Sequence, residues 1–120
     1  MKNTEFISAT ATLRLIGYVG VDSGQVIVTD PCYLSDWTAD EFDGTEAPKN
    51  FSYSGACAAT LGPNGGAEIG IGTQGVASRT AWGDGVYPVF QIIGKDGFVR
   101  GLIVDFDGLT SNDDEEGEDA

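Results

Sequence analysis

Trp82-Gly83-Asp84-Gly85-Val86-Tyr87-Pro88-Val89-Phe90 sets a tight turn directly against the entry to a strand. Gly83 and Gly85 give the backbone access to positive φ or to a close approach, and Gly85 in particular is expected to need a geometry that a β-carbon disfavours. Asp84 between them can close an Asx-turn on its own backbone or aim its carboxylate at a ligand. Val86 to Ile93 then reads as a strand. Pro88 removes one ladder donor, which puts it on an edge, at a bulge or near the strand's start. Phe98 to Phe106 pairs back across Lys95-Asp96-Gly97 as a hairpin.

Working outward, turn signals recur every eight to twelve residues or so, the spacing of a β-sandwich or barrel. Thr12 to Val19 alternates as a strand. Gly20 to Gly24, ending Asp22-Ser23-Gly24, reads as the turn of a hairpin into a second strand, Gln25 to Thr29. Val26-Ile27-Val28 is apolar without alternation, as in a strand covered on both faces. Pro31 ends that strand and holds Asp30 extended. Ser35 to Phe42 is the best helix: Thr38 and Glu41 have capping-box spacing, Gly44 stops it, and Trp37 and Phe42 pin it to the sheet. Phe51 to Leu61 reads as a strand of small residues, leaving room opposite for Trp37, Trp82 or a ligand. Gly62-Pro63-Asn64-Gly65-Gly66 is the strongest turn. Ala67 to Gly72 and Gly75 to Ala81 are strand pieces broken at Thr73-Gln74-Gly75.

The fold class expected is therefore all-β: a sandwich or small barrel of six or seven short antiparallel strands with one short helix, in one domain over 1–110. Residues 1–11 read as an extended arm. Residues 111–120 hold six carboxylates and nothing to bury, so they read as a disordered acidic tail.

The glycine-flanked turn also carries a resemblance. Trp82-Gly83-Asp84-Gly85-x-Tyr87-Pro88-Val89, then Gly97, then Val104-Asp105-Phe106, with Val21-Asp22-Ser23-Gly24 upstream, resembles the uncharacterised bacterial and phage domain family numbered 4241. The likeness covers about a third of the chain. It implies a compact β-rich domain from a bacterium or its phage; the family has no assigned activity.

Composition narrows the chemistry. Among 120 residues there are 18 glycines, 41% hydrophobic residues and a net charge of −13. Taking the six tail carboxylates from the nineteen acidic residues leaves thirteen against six basic, still −7. Such a body repels nucleic-acid phosphates and suits basic partners, cations or plain solubility. No apolar run reaches the ~18 residues of a membrane helix, and Met1 to Glu5 leads into no signal-peptide core, so the expected location is the cytoplasm, the host's if the source is a phage. Cys32 and Cys57 are then expected to be reduced and buried.

The absence of histidine removes Ser-His and Cys-His pairs and histidine metal ligation. Gly70-x-Gly72 precedes no helix, so it is no dinucleotide fingerprint, and there is no Walker sequence. Two sites remain open. Arg79 and Arg100 with Trp82, Asp84 and Tyr87 could hold a nucleotide-type ligand, an arginine and an aromatic together suiting a phosphate and a base. Asp22, Asp30, Asp84 and Asp105, each at a turn or strand end, could converge on a divalent cation or act as an acid–base pair.

Three functions compete. The first is a non-enzymatic binding protein that needs no cofactor and sequesters a small ligand or a protein partner, as counter-defence or immunity proteins do; self-association is compatible with it. The alternative is a metal-dependent hydrolase built on the aspartates. A mimic of nucleic acid ranks last, because nearly half of the net charge sits in the tail.

Overall fold

The computed structural model describes residues 11–44 and 47–110, so the expected N-terminal arm (but for Ala11) and the acidic tail lie outside the described residues. Six strands form two antiparallel sheets, with one short α-helix. The strands are β1 (Thr12–Val21), β2 (Gln25–Thr29), β3 (Gly66–Ile69), β4 (Gly75–Arg79), β5 (Gly85–Ile93) and β6 (Val99–Val104). A 3-10 turn covers Pro31–Asp36, and helix α1 covers Tyr53–Thr60. The all-β reading holds, and the four strands expected after residue 66 form close to their expected bounds.

Four local expectations do not hold. Strands β1 and β2 are not a hairpin: β1 joins the sheet β1-β5-β6, and β2 joins β2-β4-β3. Nor is β2 covered on both faces, since Val28 is exposed.

The helix is also displaced. Ser35 to Phe42 gives only the end of a 3-10 turn, nucleated by Pro31 and capped by Asp30, whose carboxylate accepts the Cys32 N–H at 3.0 Å. From Trp37 the chain is extended, and Thr38 makes a parallel bridge with Ser52.

The α-helix forms instead where a strand of small residues is expected. Ser52 is its N-cap, with Oγ accepting the Gly55 N–H at 3.0 Å. Asp40 adds a second cap: its carboxylate accepts the Ser54 N–H at 2.8 Å and the Ser54 hydroxyl at 2.6 Å. Ala56, Ala58 and Ala59 are the best helix formers and, unlike valine or isoleucine, have no packing advantage in a strand.

The contacts group into two compact units. The central unit, Val21–Asp84, lays α1 across one face of β2-β4-β3. The register pairs Ile27 and Ala67 with Ala77, and Ile69 with Gly75, so these residues share a face. Phe51, Ala56 and Ala59 meet that face and form the core with Ile69 and Ala77, both fully buried. Alanines let the helix approach closely. Gly75 leaves space for the Phe51 ring, which a β-carbon there would meet at 3.3 Å. Trp37 and Tyr33 stand edge-on to Phe51, with centroids 5.2 and 6.4 Å away. Trp37 therefore does pin its segment, although not from a helix. One polar knot lies beneath α1: Thr60 Oγ1 donates to Gln25 Oε1 at 3.0 Å, and Gln25 Nε2 donates to Cys57 Sγ at 3.5 Å.

The terminal unit comprises the described residues of Met1–Gly20 and Gly85–Ala120 and holds β1-β5-β6. Strands β5 and β6 pair antiparallel from Val89↔Val104 to Ile93↔Val99, with an irregularity at Ile92/Ile93. Pro88 lies within the middle strand and keeps its carbonyl in use by accepting the Asp105 N–H at 3.0 Å. Tyr87 is buried, edge-on to Phe106 at 5.2 Å.

A candidate ligand cleft in the central unit

Beside the entry to α1 lies a cleft of about 400 Å³, lined by Asp36, Thr38, Asp40, Asn50, Phe51, Ser52, Gly70, Ile71 and Gln74. Its size falls in the usual range for small-molecule sites. Three pieces of chain build it. The 3-10 turn brings Asp36 to one wall. The extended segment after it is tied to the next piece, with Thr38 N–H on Phe51 O at 3.3 Å and Tyr53 N–H on Thr38 O at 2.9 Å. The third piece is the β3–β4 loop, Gly70 to Gln74.

Gln74 organises that loop. Its Oε1 accepts the Ile71 N–H at 2.9 Å, and its Nε2 donates to Asp36 Oδ2 at 3.2 Å. Its carbonyl accepts from Thr29 Oγ1 at 2.7 Å. The folded Gln74 side chain occupies the place of a Gly70 side chain: a β-carbon at Gly70 would lie 2.3 Å from Gln74 Oε1, and φ there is +86°. The loop so held leaves Ile71 89% exposed above polar walls, with Phe51 as the apolar floor.

Electrostatically the cleft is acidic. The Ser54 hydroxyl and N–H hold the Asp40 carboxyl below the usual carboxylate range, so it stays charged. Both of its oxygens serve the cap. Asp36, Thr38 and Asn50 are exposed on the walls and offer a carboxylate, a hydroxyl and a carboxamide.

The residues singled out from sequence lie elsewhere. Arg79, Trp82 and Asp84 belong to the central unit, and Tyr87 and Arg100 to the terminal unit. Arg79 is exposed at the end of β4, its guanidinium against Gly65, where a β-carbon would lie 2.7 Å from Nε. Trp82 is 71% exposed, so the small residues of 51–61 do not make room for it. Arg100 pairs with Asp96 across the β5–β6 turn. The glycine-flanked turn between β4 and β5 is closed by Thr80, whose hydroxyl donates to Gly83 O at 2.6 Å. Gly83, with φ +75°, needs the special geometry, and Gly85 does not, being the first residue of β5.

The four aspartates of the alternative are divided between the two units. Asp22, Asp30 and Asp84 are exposed in the central unit, and Asp30 is a cap. Asp105 is buried in the terminal unit, where Oδ1 accepts the N–H groups of Asp107 and Leu109, and Oδ2 accepts the N–H and hydroxyl of Thr110. Among the described residues no three acidic or cysteine side chains group as a metal site.

The cysteines differ from expectation, because Cys57 is buried and Cys32 is exposed. Partial desolvation, the bond to Asp30, and the charges of Asp30 and Asp36 push the Cys32 thiol up, away from a reactive thiolate. No helix among the described residues is long and apolar enough to cross a membrane.

In comparisons with protein-family models, curated proteins and solved structures, the chain matches none.

Proposed function

We propose that this chain is a non-enzymatic binding protein that sequesters a small ligand, and that the cleft over Phe51 holds it. The observation that carries this is the pairing of an exposed apolar tip, Ile71, with an aromatic floor and three exposed polar side chains, Asp36, Thr38 and Asn50. That set suits a flat ring bearing hydrogen-bond donors. Ile71 and Phe51 supply apolar surface, the Asn50 carboxamide offers a donor and an acceptor side by side, and Asp36 accepts from an exocyclic amine. Two carboxylates disfavour a phosphate, so a nucleoside-type ligand fits better than a nucleotide. In the bacterial or phage setting that the sequence resemblance implies, sequestration of such a ligand is the action of a counter-defence or immunity protein.

Thermal-shift titration with nucleosides and the corresponding nucleotides tests this. A ligand that binds the native state raises Tm by linkage. The expected result is a shift with at least one nucleoside, smaller for its monophosphate and lost in Asn50→Ala and Asp36→Asn. A shift larger for the phosphates and unaffected by these substitutions would move the site to Arg79 or Arg100.

A further inference from the structure

The hydrogen-bonding groups of the cleft over Phe51 are unevenly spent. Asp40 gives both carboxylate oxygens to Ser54, and Ser52 Oγ accepts the Gly55 N–H. Gln74 uses both ends of its amide, on the Ile71 N–H and on Asp36. Among the lining residues this leaves the exposed Asp36, Thr38 and Asn50 to meet a ligand. Asp36 is the charged one, and it is held. Gln74 Nε2 donates to its Oδ2 at 3.2 Å, which ties the 3-10 turn to the β3–β4 loop and restrains the carboxylate from the loop side. Oδ1 and a second lone pair on Oδ2 remain, two acceptors side by side with no donor between them.

Nucleobases differ in what they can offer such a pair. Guanine presents two adjacent donors, N1–H and the 2-amino group, and can give one to each oxygen. Adenine and cytosine have a single amine beside a ring nitrogen whose lone pair would face the second oxygen. Uracil has N3–H between two carbonyls. Acceptor set against acceptor leaves a polar group without its partner, and that penalty discriminates more sharply than the bond gained. On its other edge guanine has the acceptors O6 and N7, and the donors that the cleft offers are the Asn50 carboxamide and the Thr38 hydroxyl. Phe51 and Ile71 supply apolar contact that any base would use, so they do not select.

We propose that the nucleoside taken by the cleft is a guanine nucleoside, an inference that rests on the nucleoside reading of the site, and that Asp36 determines the choice by accepting N1–H and the 2-amino group together. Titration calorimetry of the full chain with guanosine, inosine, adenosine, cytidine and uridine tests this. Inosine keeps N1–H and lacks the 2-amino group, so it is expected to bind at least ~10-fold more weakly than guanosine, the scale of one hydrogen bond to a charged group. Adenosine, cytidine and uridine are also expected to fall at least ~10-fold below guanosine. In Asp36→Asn the amide offers one acceptor and one donor, which suits xanthosine, where a 2-oxo group replaces the amine. That variant is expected to lose guanosine and gain xanthosine at unchanged circular dichroism, an exchange that a loss of structure would not produce. If the variant does not fold, guanosine against inosine on the wild-type chain carries the test. Equal binding of guanosine and inosine, a preference for adenosine, cytidine or uridine, or a folded Asp36→Asn that takes no xanthosine overturns the choice of guanine and leaves the nucleoside reading standing. Guanosine binding that survives Asp36→Asn, or no binding of any nucleoside, overturns both.

Discussion

Gly55 sits against Asn50 so closely that a β-carbon on it would lie 2.0 Å from the Asn50 carbonyl oxygen and 2.5 Å from its nitrogen. The helix entry and the cleft wall are therefore one packed junction, possible because residue 55 has no side chain. Two effects compete in Gly55→Ala. Helix propensity favours alanine by ~1 kcal/mol. The clash is with backbone, which cannot rotate away, and overpacking of this kind costs ~1–3 kcal/mol or more. The clash is expected to win by ~2 kcal/mol, read as a lower urea midpoint at unchanged slope. Equal or higher stability would mean that the Asn50 segment gives way.

The glycine-flanked turn yields a contrast within three residues. Gly83 is left-handed at φ +75°, so Gly83→Ala is expected to cost ~1 kcal/mol. Gly85 is an exposed strand residue, and a β-carbon there would meet the Tyr87 ring at an ordinary 3.5 Å. Gly85→Ala is expected to change stability by less than ~0.5 kcal/mol. Thermal denaturation of the two variants side by side checks this, and the reverse order would refute the turn geometry.

Asp105 makes stability depend on pH. Burial raises its pKa, but the hydrogen bonds from Thr110, Asp107 and Leu109 outweigh burial and lower it below the usual carboxylate value. A depressed folded pKa means that the stabilisation is fully present above the unfolded value of ~4 and fades as pH falls through the folded one. Asp105→Asn is expected to cost ~2 kcal/mol at pH 7. The gap to wild type should narrow below about pH 4. A gap constant from pH 7 to pH 2.5 would show that the charge plays no part.

The two cysteines should separate under alkylation. Cys32 is exposed and is expected to label in the native protein, at a rate that climbs only at alkaline pH because its pKa is raised. Cys57 is buried and should label only after denaturation. Cys32→Ser should be nearly neutral, whereas Cys57→Ser should cost ~1 kcal/mol by placing a hydroxyl beneath α1. Mass spectrometry of the labelled peptides reads the first claim, and urea titration reads the second.

Strand content was legible because alternation and glycine turns write it directly, as in Val86 to Phe106. The helix was not, because Ser52 to Thr60 has too little apolar contrast to show a 3.6-residue period, and its caps come from Ser52 itself and from Asp40, thirteen residues before the first helical residue. The false hairpin at Gly20 to Gly24 has a similar origin: local turn chemistry says that the chain bends, not which strand the next one pairs with. The cleft was hidden for a third reason. Asp36, Asn50 and Gln74 belong to no motif, and only the β3–β4 loop gave a signal, as an interruption of strand character at Thr73-Gln74-Gly75. The motif-like residues Asp84, Asp105 and Arg100 were found by chemistry that serves the fold as often as a ligand, and the structure shows Asp105 holding backbone N–H groups and Arg100 paired with Asp96.

The grouping of the chain also sets an order of events. Strand β1 shares its sheet with β5, which follows only after the whole of the central unit. Near the ends of that unit, the Thr80 N–H donates to Gly24 O at 3.0 Å, so its entry and exit lie side by side. During synthesis Val21–Asp84 can close upon itself while β1 waits for a partner not yet made. The exposed edge and apolar face of β1 are then a hazard of the nascent chain, present until the ribosome has delivered β5 and β6.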